Sequence, residues 1–175
     1  MLRHRILGID PGSRTTGYAV IDTDGQRSLR VVSGCIRVGE QPWPARLGLI
    51  FDRVAAIVAE HRPHEMAVEQ LIFARDPTAA LKIGQARGAV LCAGLKGGVT
   101  VHEYSPKTVK LAVVGTGGAE KAQVQHMVRI LLALPEEPGE DEADALAIAL
   151  CHAQSMGIPS RKRAAASWRD WRPSS

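Results

Sequence analysis

The sequence predicts an α/β protein built on a mixed five-stranded sheet with helices on both faces. Three observations carry this. Residues 4–10 (HRILGID), 16–22 (TGYAVID) and 28–38 (SLRVVSGCIRV) are apolar runs separated by turn residues, so they read as an antiparallel meander. From residue 45 onward, helical periodicity alternates with two short strand-like runs, 65–70 (EMAVEQ) and 99–104 (VTVHEY). The 175 residues are 45% apolar and 23% charged, enough for one domain with a real core.

Each element has a local reason. Asp10-Pro11-Gly12-Ser13 ends the first strand in a turn, and Asp24-Gly25 is a hairpin signal. Pro42 and Pro44 mark a loop, after which Leu47, Ile50, Phe51, Val54 and Ile57 recur at helical spacing over 45–61. Asp76-Pro77 pairs an N-cap with proline at the first helical position and opens a helix over 77–94. That helix is rich in Ala and Gly, which suits close packing. Ser105-Pro106 opens another helix over 106–113. The glycine-rich loop 115–118 precedes a helix over 119–132, and a last helix covers 141–154. The domain is expected to end near residue 156, with residues 157–175 a basic tail without periodicity.

Charge is unevenly distributed. The tail holds Arg161, Lys162, Arg163, Arg169 and Arg172 against Asp170 alone, so it accounts for the net charge of +4. Residues 1–157 carry 17 basic and 17 acidic residues, and six of those acids fall between Glu136 and Asp144. One acidic spot on an otherwise basic body suits a protein that holds phosphates with cations and cations with carboxylates. No apolar run approaches the roughly 20 residues of a membrane span. The short N-terminal lead into the first strand does not look like a secretory signal, so a cytoplasmic protein is expected. Cys35, Cys92 and Cys151 are odd in number and far apart, which is neither a disulfide framework nor a zinc site; buried reduced thiols are expected.

Four acids stand out. Asp10 ends an apolar strand, where a lone aspartate is most often a turn-former. Glu69 follows Met66, Ala67 and Val68, where an unpaired carboxylate is costly. Asp141 and Asp144 lie one helical turn apart on one face. Acids at a helix start are ordinary through the macrodipole, and that accounts for Glu140 and Glu142. Asp144 is harder to explain so, because Ala143 and the run Ala145–Leu150 surround it with apolar residues. If the four converge, they need cations to stay ionised together. Oxygen-only ligands select magnesium or manganese, and two such ions would support in-line hydrolysis of a phosphodiester. Lys110 and Lys121 are candidates for contacting phosphates or the scissile group. Arg14, Arg75, Lys82, Arg87 and Lys107 are further phosphate candidates, although solvated surface is the commoner role for each. Phe73 could wedge against a base step, and Trp168 and Trp171 could stack on bases.

ILGIDPGSRTTGYAVI at 6–21, AVEQ at 67–70, ALKIGQARGAV at 80–90, VK at 109–110, VVGTGGAEKAQVQHMV at 113–128 and DEADALAIAL at 141–150 resemble, in the same order, the motifs of the RuvC family of Holliday-junction resolvases. The resemblance implies an RNase H-like fold and a homodimer that cuts two opposed strands of a four-way DNA junction symmetrically. It implies 5′-phosphate ends and two Mg2+ ions per site, with Mn2+ as a substitute. Asp10, Glu69, Asp141 and Asp144 match the family's catalytic acids, Lys110 and Lys121 its two lysines, and the 77–94 helix its dimer-forming region. The branch-migration proteins RuvA and RuvB are the implied partners. One departure concerns the aromatic that some members carry three residues after the glutamate. Here Ile72 occupies that position and Phe73 follows.

Three other readings compete. The Asp10–Gly17 segment also looks like the phosphate hairpin of actin-like ATP-binding proteins, but 175 residues are few for their two domains and the Asp141/Asp144 helix has no role there. A related RNase H-like nuclease acting on RNA would share the fold. A junction-binding protein without catalysis would have no use for four carboxylates.

Overall fold

The computed structural model describes residues 3–71 and 76–157. Five strands and five helices follow in the order β1 (His4–Asp10), β2 (Thr15–Thr23), β3 (Ser28–Arg37), α1 (Trp43–His61), β4 (Glu65–Glu69), α2 (Pro77–Lys96), β5 (Thr100–Tyr104), α3 (Pro106–Val114), α4 (Lys121–Leu131) and α5 (Glu140–Gly157). The sheet order is β3-β2-β1-β4-β5. β1 pairs antiparallel with β2 and parallel with β4, β2 pairs antiparallel with β3, and β4 pairs parallel with β5. The meander therefore grows sideways into a parallel half, and β1 lies at the centre.

Side-chain alternation along the strands separates two cores. Ile6, Ala19, Ile21 and Ala67 face α3, α4 and α5. Leu7, Ile9, Val20, Met66 and Val68 face α1 and α2. α5 is apolar nearly all round and is packed accordingly: Ala143, Ala145 through Cys151, and Ala153 are buried.

Boundaries moved where capping chemistry decided them. α1 begins at Trp43, with Pro44 inside its first turn rather than in the loop, because the amide a proline lacks has no partner there anyway. α4 begins at Lys121, because Glu120 is an N-cap whose capping box with Gln123 closes the helix start. Asp76 and Ser105 cap α2 and α3, as their sequences suggest.

The cysteine expectation is corrected. All three thiols are free, but only Cys151 is buried, while Cys35 and Cys92 are exposed. Cys35 sits on the edge strand β3 and Cys92 on the outward side of α2, places where apolar sequence neighbours do not guarantee burial. Phe73 and Arg75, as well as Trp168, Trp171 and the basic tail, lie outside the described residues.

Candidate active site

Asp10 is the last residue of β1 and Glu69 the last of β4. The strands are parallel, and their register pairs Ile9 with Val68, so the two carboxylates leave the sheet side by side at the same end. Alternation places Asp10 on the face of Ile6 and Gly8, and Glu69 on the face of Ala67, the face that α5 covers.

What brings the helical acids to this point is a seam of small residues. A Cβ on Gly17 would lie 1.9 Å from the Asp141 carbonyl oxygen, and one on Gly8 would lie 2.3 Å from that of Ala145. Neither position has room for a side chain, so the α5 backbone rests directly on β1 and β2. Gly17 is also the cross-strand partner of Asp10. The first turn of α5 is thereby laid over the end of β1. The turn between β1 and β2 is held from inside by buried Thr16, whose hydroxyl lies 3.4 Å from the Gly12 amide and 3.3 Å from its carbonyl.

The charges of the acids act on one another. The Asp10 carboxyl is pushed up to about 7, first by burial and then by the charges of Glu69, Asp144 and Asp141, with Lys121 opposing. Burial raises Glu69 as well, and Asp144 adds to it while Lys121 and Lys110 oppose. Asp144 is raised by burial, against Lys121 and Lys110 and with help from Glu140 and Asp141. Among the described residues, no three of these acids bring an oxygen each within 4.8 Å of one another. Mutual repulsion favours such a spread.

Lys121 Nζ pairs with Glu140 and lies 3.9 Å from Asp144 Oδ2. Its charge is reinforced, chiefly by the hydrogen bond to Glu140. The sequence assigned Glu140 to the macrodipole alone, and its link to Lys121 across 19 residues was not visible there. Glu142, read the same way, accepts from Ser33 Oγ at 2.5 Å and ties α5 to β3.

The other candidate cations divide. Lys110, on α3, bears on both Glu69 and Asp144. Lys107 lies along Gly117, whose Cβ would meet its Cγ at 2.7 Å, and so shapes the glycine-rich loop beside the site. Arg14 is exposed in the turn after Asp10. Lys82 sits 5.8 Å over the Trp43 ring, on the α1 side. Arg87 is occupied: its Nη2 is 2.5 Å from Glu103, and its Nε donates to the Glu69 carbonyl at 3.3 Å. It braces the end of β4 from behind, a contact that residue type alone does not reveal.

A five-stranded mixed sheet in this order, with acids gathered at the shared end of its two central parallel strands, defines an RNase H-like protein of the nuclease class. The family model for crossover junction endodeoxyribonuclease RuvC matches residues 6–152. A curated relative of that name from Marinobacter nauticus is 57% identical over 148 residues, covering 85% of each chain. One from Alkalilimnicola ehrlichii is 49% identical over 161 residues, covering 92% of this chain and 98% of the relative. Among solved structures, Thermus thermophilus RuvC in complex with Holliday junction substrate superposes with a TM-score of 0.84 at 38% identity, over 88% of this chain and 95% of the other. The yeast mitochondrial Holliday junction resolvase Ydc2 superposes with a TM-score of 0.63 at 13% identity, over 88% and 82%, and shares the fold. The chain belongs to the RuvC family of crossover junction endodeoxyribonucleases.

Proposed function

We propose that this chain resolves four-way DNA junctions by metal-dependent hydrolysis at the Asp10, Glu69, Asp141 and Asp144 cluster, cutting two opposed strands symmetrically. The observation that carries the reading is geometric: Asp10 and Glu69 end adjacent parallel strands, and the first turn of α5, which carries Asp141 and Asp144, is laid over that end through Gly17. The Asp10 carboxyl is pushed up to about 7 by burial and three neighbouring acids, and bound divalent cations would relieve that repulsion. The donor set fits in kind: carboxylate oxygens suit magnesium or manganese. When bound, divalent ions would activate the attacking water and neutralise the leaving oxygen, which departs as a 3′-hydroxyl opposite a 5′-phosphate.

The chain's own residues do the rest. Asp10 and Glu69 are held by strand ends and Asp141 and Asp144 by the seated first turn of α5, so the backbone sets where the four acids start from. Lys121, held between Glu140 and Asp144, offers its ammonium to a non-bridging phosphate oxygen. Lys110 serves the same side of the cluster from α3, and Arg14, in the turn after Asp10, and Lys107, beside the glycine-rich loop, are proposed to track the flanking backbone. Phe73, four residues after the end of β4, is proposed to wedge at the junction centre, and Arg75, six residues after it, to contact phosphate.

Two-fold cutting calls for a dimer. Its support is α2, which leaves Leu81, Gln85, Cys92 and Leu95 exposed in one stripe at spacings of three, four and seven residues. RuvA and RuvB are proposed to work beside it. Among the described residues no helix is long and apolar enough to cross a membrane.

The deciding experiment incubates the protein with a synthetic four-way junction and with a linear duplex of the same sequence, with and without magnesium. Paired nicks in opposite arms, on the junction alone and only with magnesium, are the expected result. Equal cutting of the duplex, or cutting of an RNA–DNA hybrid in preference, would replace this reading with that of a related RNase H-like nuclease.

A further inference from the structure

At the other end of α5 and of the same sheet face, four elements bring ligand-type side chains together. Glu65 starts β4, four residues before Glu69 and on the same face. His4 starts β1, His102 lies on β5, and His152 lies near the end of α5. His152 Nε2 contacts Glu65 Oε2 directly. His102 Nε2 is 3.6 Å from that oxygen and His4 Nε2 is 3.7 Å from it. One ligand atom each from Glu65, His102 and His152 falls within 4.8 Å of the others. We propose that Glu65, His102 and His152, with His4 as a fourth ligand, form a binding site for a zinc-class divalent ion, separate from the catalytic acids.

Hydrogen bonding by itself leaves this cluster incomplete. His152 is 3% exposed, and its Nδ1 lies 2.7 Å from the Tyr104 hydroxyl. Where Tyr104 donates to Nδ1, Nε2–H donates to Glu65; where Nδ1–H donates to Tyr104, Nε2 turns a lone pair to the carboxylate and a cation is needed between them. A single proton would serve that pair alone. The Nε2 atoms of His4 and His102 are also buried, and neither has a hydrogen-bond partner. Three imidazole nitrogens thus converge on one carboxylate oxygen, and at most one contact among them is satisfied. A tetrahedral ion with ligand bonds of about 2.0–2.1 Å sets neighbouring donors about 3.4 Å apart. The His4 and His102 separations from Glu65 are within a few tenths of an ångström of that edge; on binding, the direct His152–Glu65 contact would open and His4 would close in on the other three ligands.

The surroundings supply the outer support such ligands use. Tyr104 orients His152 through Nδ1. His64 stacks on His4 with ring centroids 4.6 Å apart, and its own Nδ1 accepts from the Arg5 amide at 2.9 Å, which fixes the pair. Imidazole with one carboxylate selects zinc, cobalt or nickel over magnesium, whereas the all-oxygen cluster selects the reverse. From Asp144 to His152 is eight residues of helix, about 12 Å of axial rise, so the two sites share a helix without sharing ligands. An ion here would cross-link β1, β4, β5 and α5.

The test is a zinc titration of the full chain by calorimetry in millimolar magnesium, repeated with cobalt to read its visible spectrum. The expected result is one zinc per chain with Kd of about 1 µM or tighter. Cobalt should give the intense bands of a four-coordinate nitrogen-rich site. His102→Ala and Glu65→Gln should weaken binding about 100-fold while circular dichroism shows a folded chain, and Asp10→Asn should bind as the unaltered protein does. His102 and Glu65 are partly exposed, so these variants avoid the cost of emptying the buried His152 position. Absence of zinc binding would overturn the proposal. So would binding that survives His102→Ala and Glu65→Gln, or binding lost in Asp10→Asn, which would place the ion among the catalytic acids.

Discussion

Asp10→Asn separates what this site does for stability from what it does for chemistry. In the folded, metal-free chain the Asp10 carboxyl is pushed from an ordinary 3.8 up to about 7, burial contributing most and Glu69, Asp144 and Asp141 adding to it. Below pH about 4 the group is protonated whether folded or unfolded and has no effect on stability. Between pH about 4 and 7 the unfolded chain loses this proton first, so stability falls as pH rises. Above 7 the full penalty is present, about 4 kcal/mol from a displacement of about 3 pH units at 1.36 kcal/mol each. Asparagine keeps the shape and removes the charge. In EDTA at pH 8 the variant should therefore be more stable than the parent by about 2–4 kcal/mol after local relaxation, a rise of roughly 5–15 °C in Tm. At pH 4 the two should coincide. Magnesium should reverse the order at pH 8 by stabilising the parent and leaving the variant nearly unchanged. The same variant should bind a four-way junction and fail to cut it. Thermal melts at both pH values with and without magnesium, alongside a cleavage assay, read all of this. A variant equally or less stable in EDTA at pH 8, or one that cuts at the parental rate, would refute the reasoning.

Other perturbations reach different parts of the assembly. Lys121→Ala should slow cleavage by about 100-fold or more while changing junction affinity only a few-fold; loss of binding at unchanged single-turnover rate would make Lys121 a phosphate anchor instead. Gly17→Ala should cost about 3 kcal/mol or more in urea unfolding and abolish cutting, because its methyl meets the Asp141 carbonyl rather than a side chain that can turn away. Arg87→Ala should lower the cleavage rate about tenfold with little effect on affinity, since it loosens the end of β4 that carries Glu69; a purely salt-dependent affinity loss would show that Arg87 grips DNA directly. Glu140→Gln should weaken the hold on Lys121 and lower the cutting rate less than Lys121→Ala does, measured in the same assay.

Much of this was legible in the chain because local signals agreed with the fold. The Asp24-Gly25 hairpin, the Asp76-Pro77 and Ser105-Pro106 starts and the apolar α5 each appear where the sequence sets them. Glu69 stands out because an acid ending a buried strand is costly, whereas Asp10 alone reads as a turn-former and gains weight only beside the other acids. Pairwise contacts between distant residues were not legible. Arg87 is one cation among many until α2 is laid beside β5, where Glu103 and the Glu69 carbonyl claim it. Glu140 satisfies a helix-start rule so well that its tie to Lys121 goes unsuspected. The exposure of Cys35 and Cys92 depends on which strand is an edge and which side of a helix faces out, neither of which composition states. The histidine cluster is assembled from four elements, and no two of its members are close in sequence. Its one linear trace is Glu65, which shares the alternation of Glu69.

Gly8 and Gly17 leave only main chain and alanine methyls between the sheet and the helix laid upon it. Rotamer hopping therefore cannot blur the placement of the first turn of α5, and its stiffness is that of the hydrogen-bonded lattice beneath. A scaffold built this way resists being re-aimed by single changes in its interior. New preferences for where it acts have to be written at the rim, in the loops and surface cations, while the seat of the acids stays as it is.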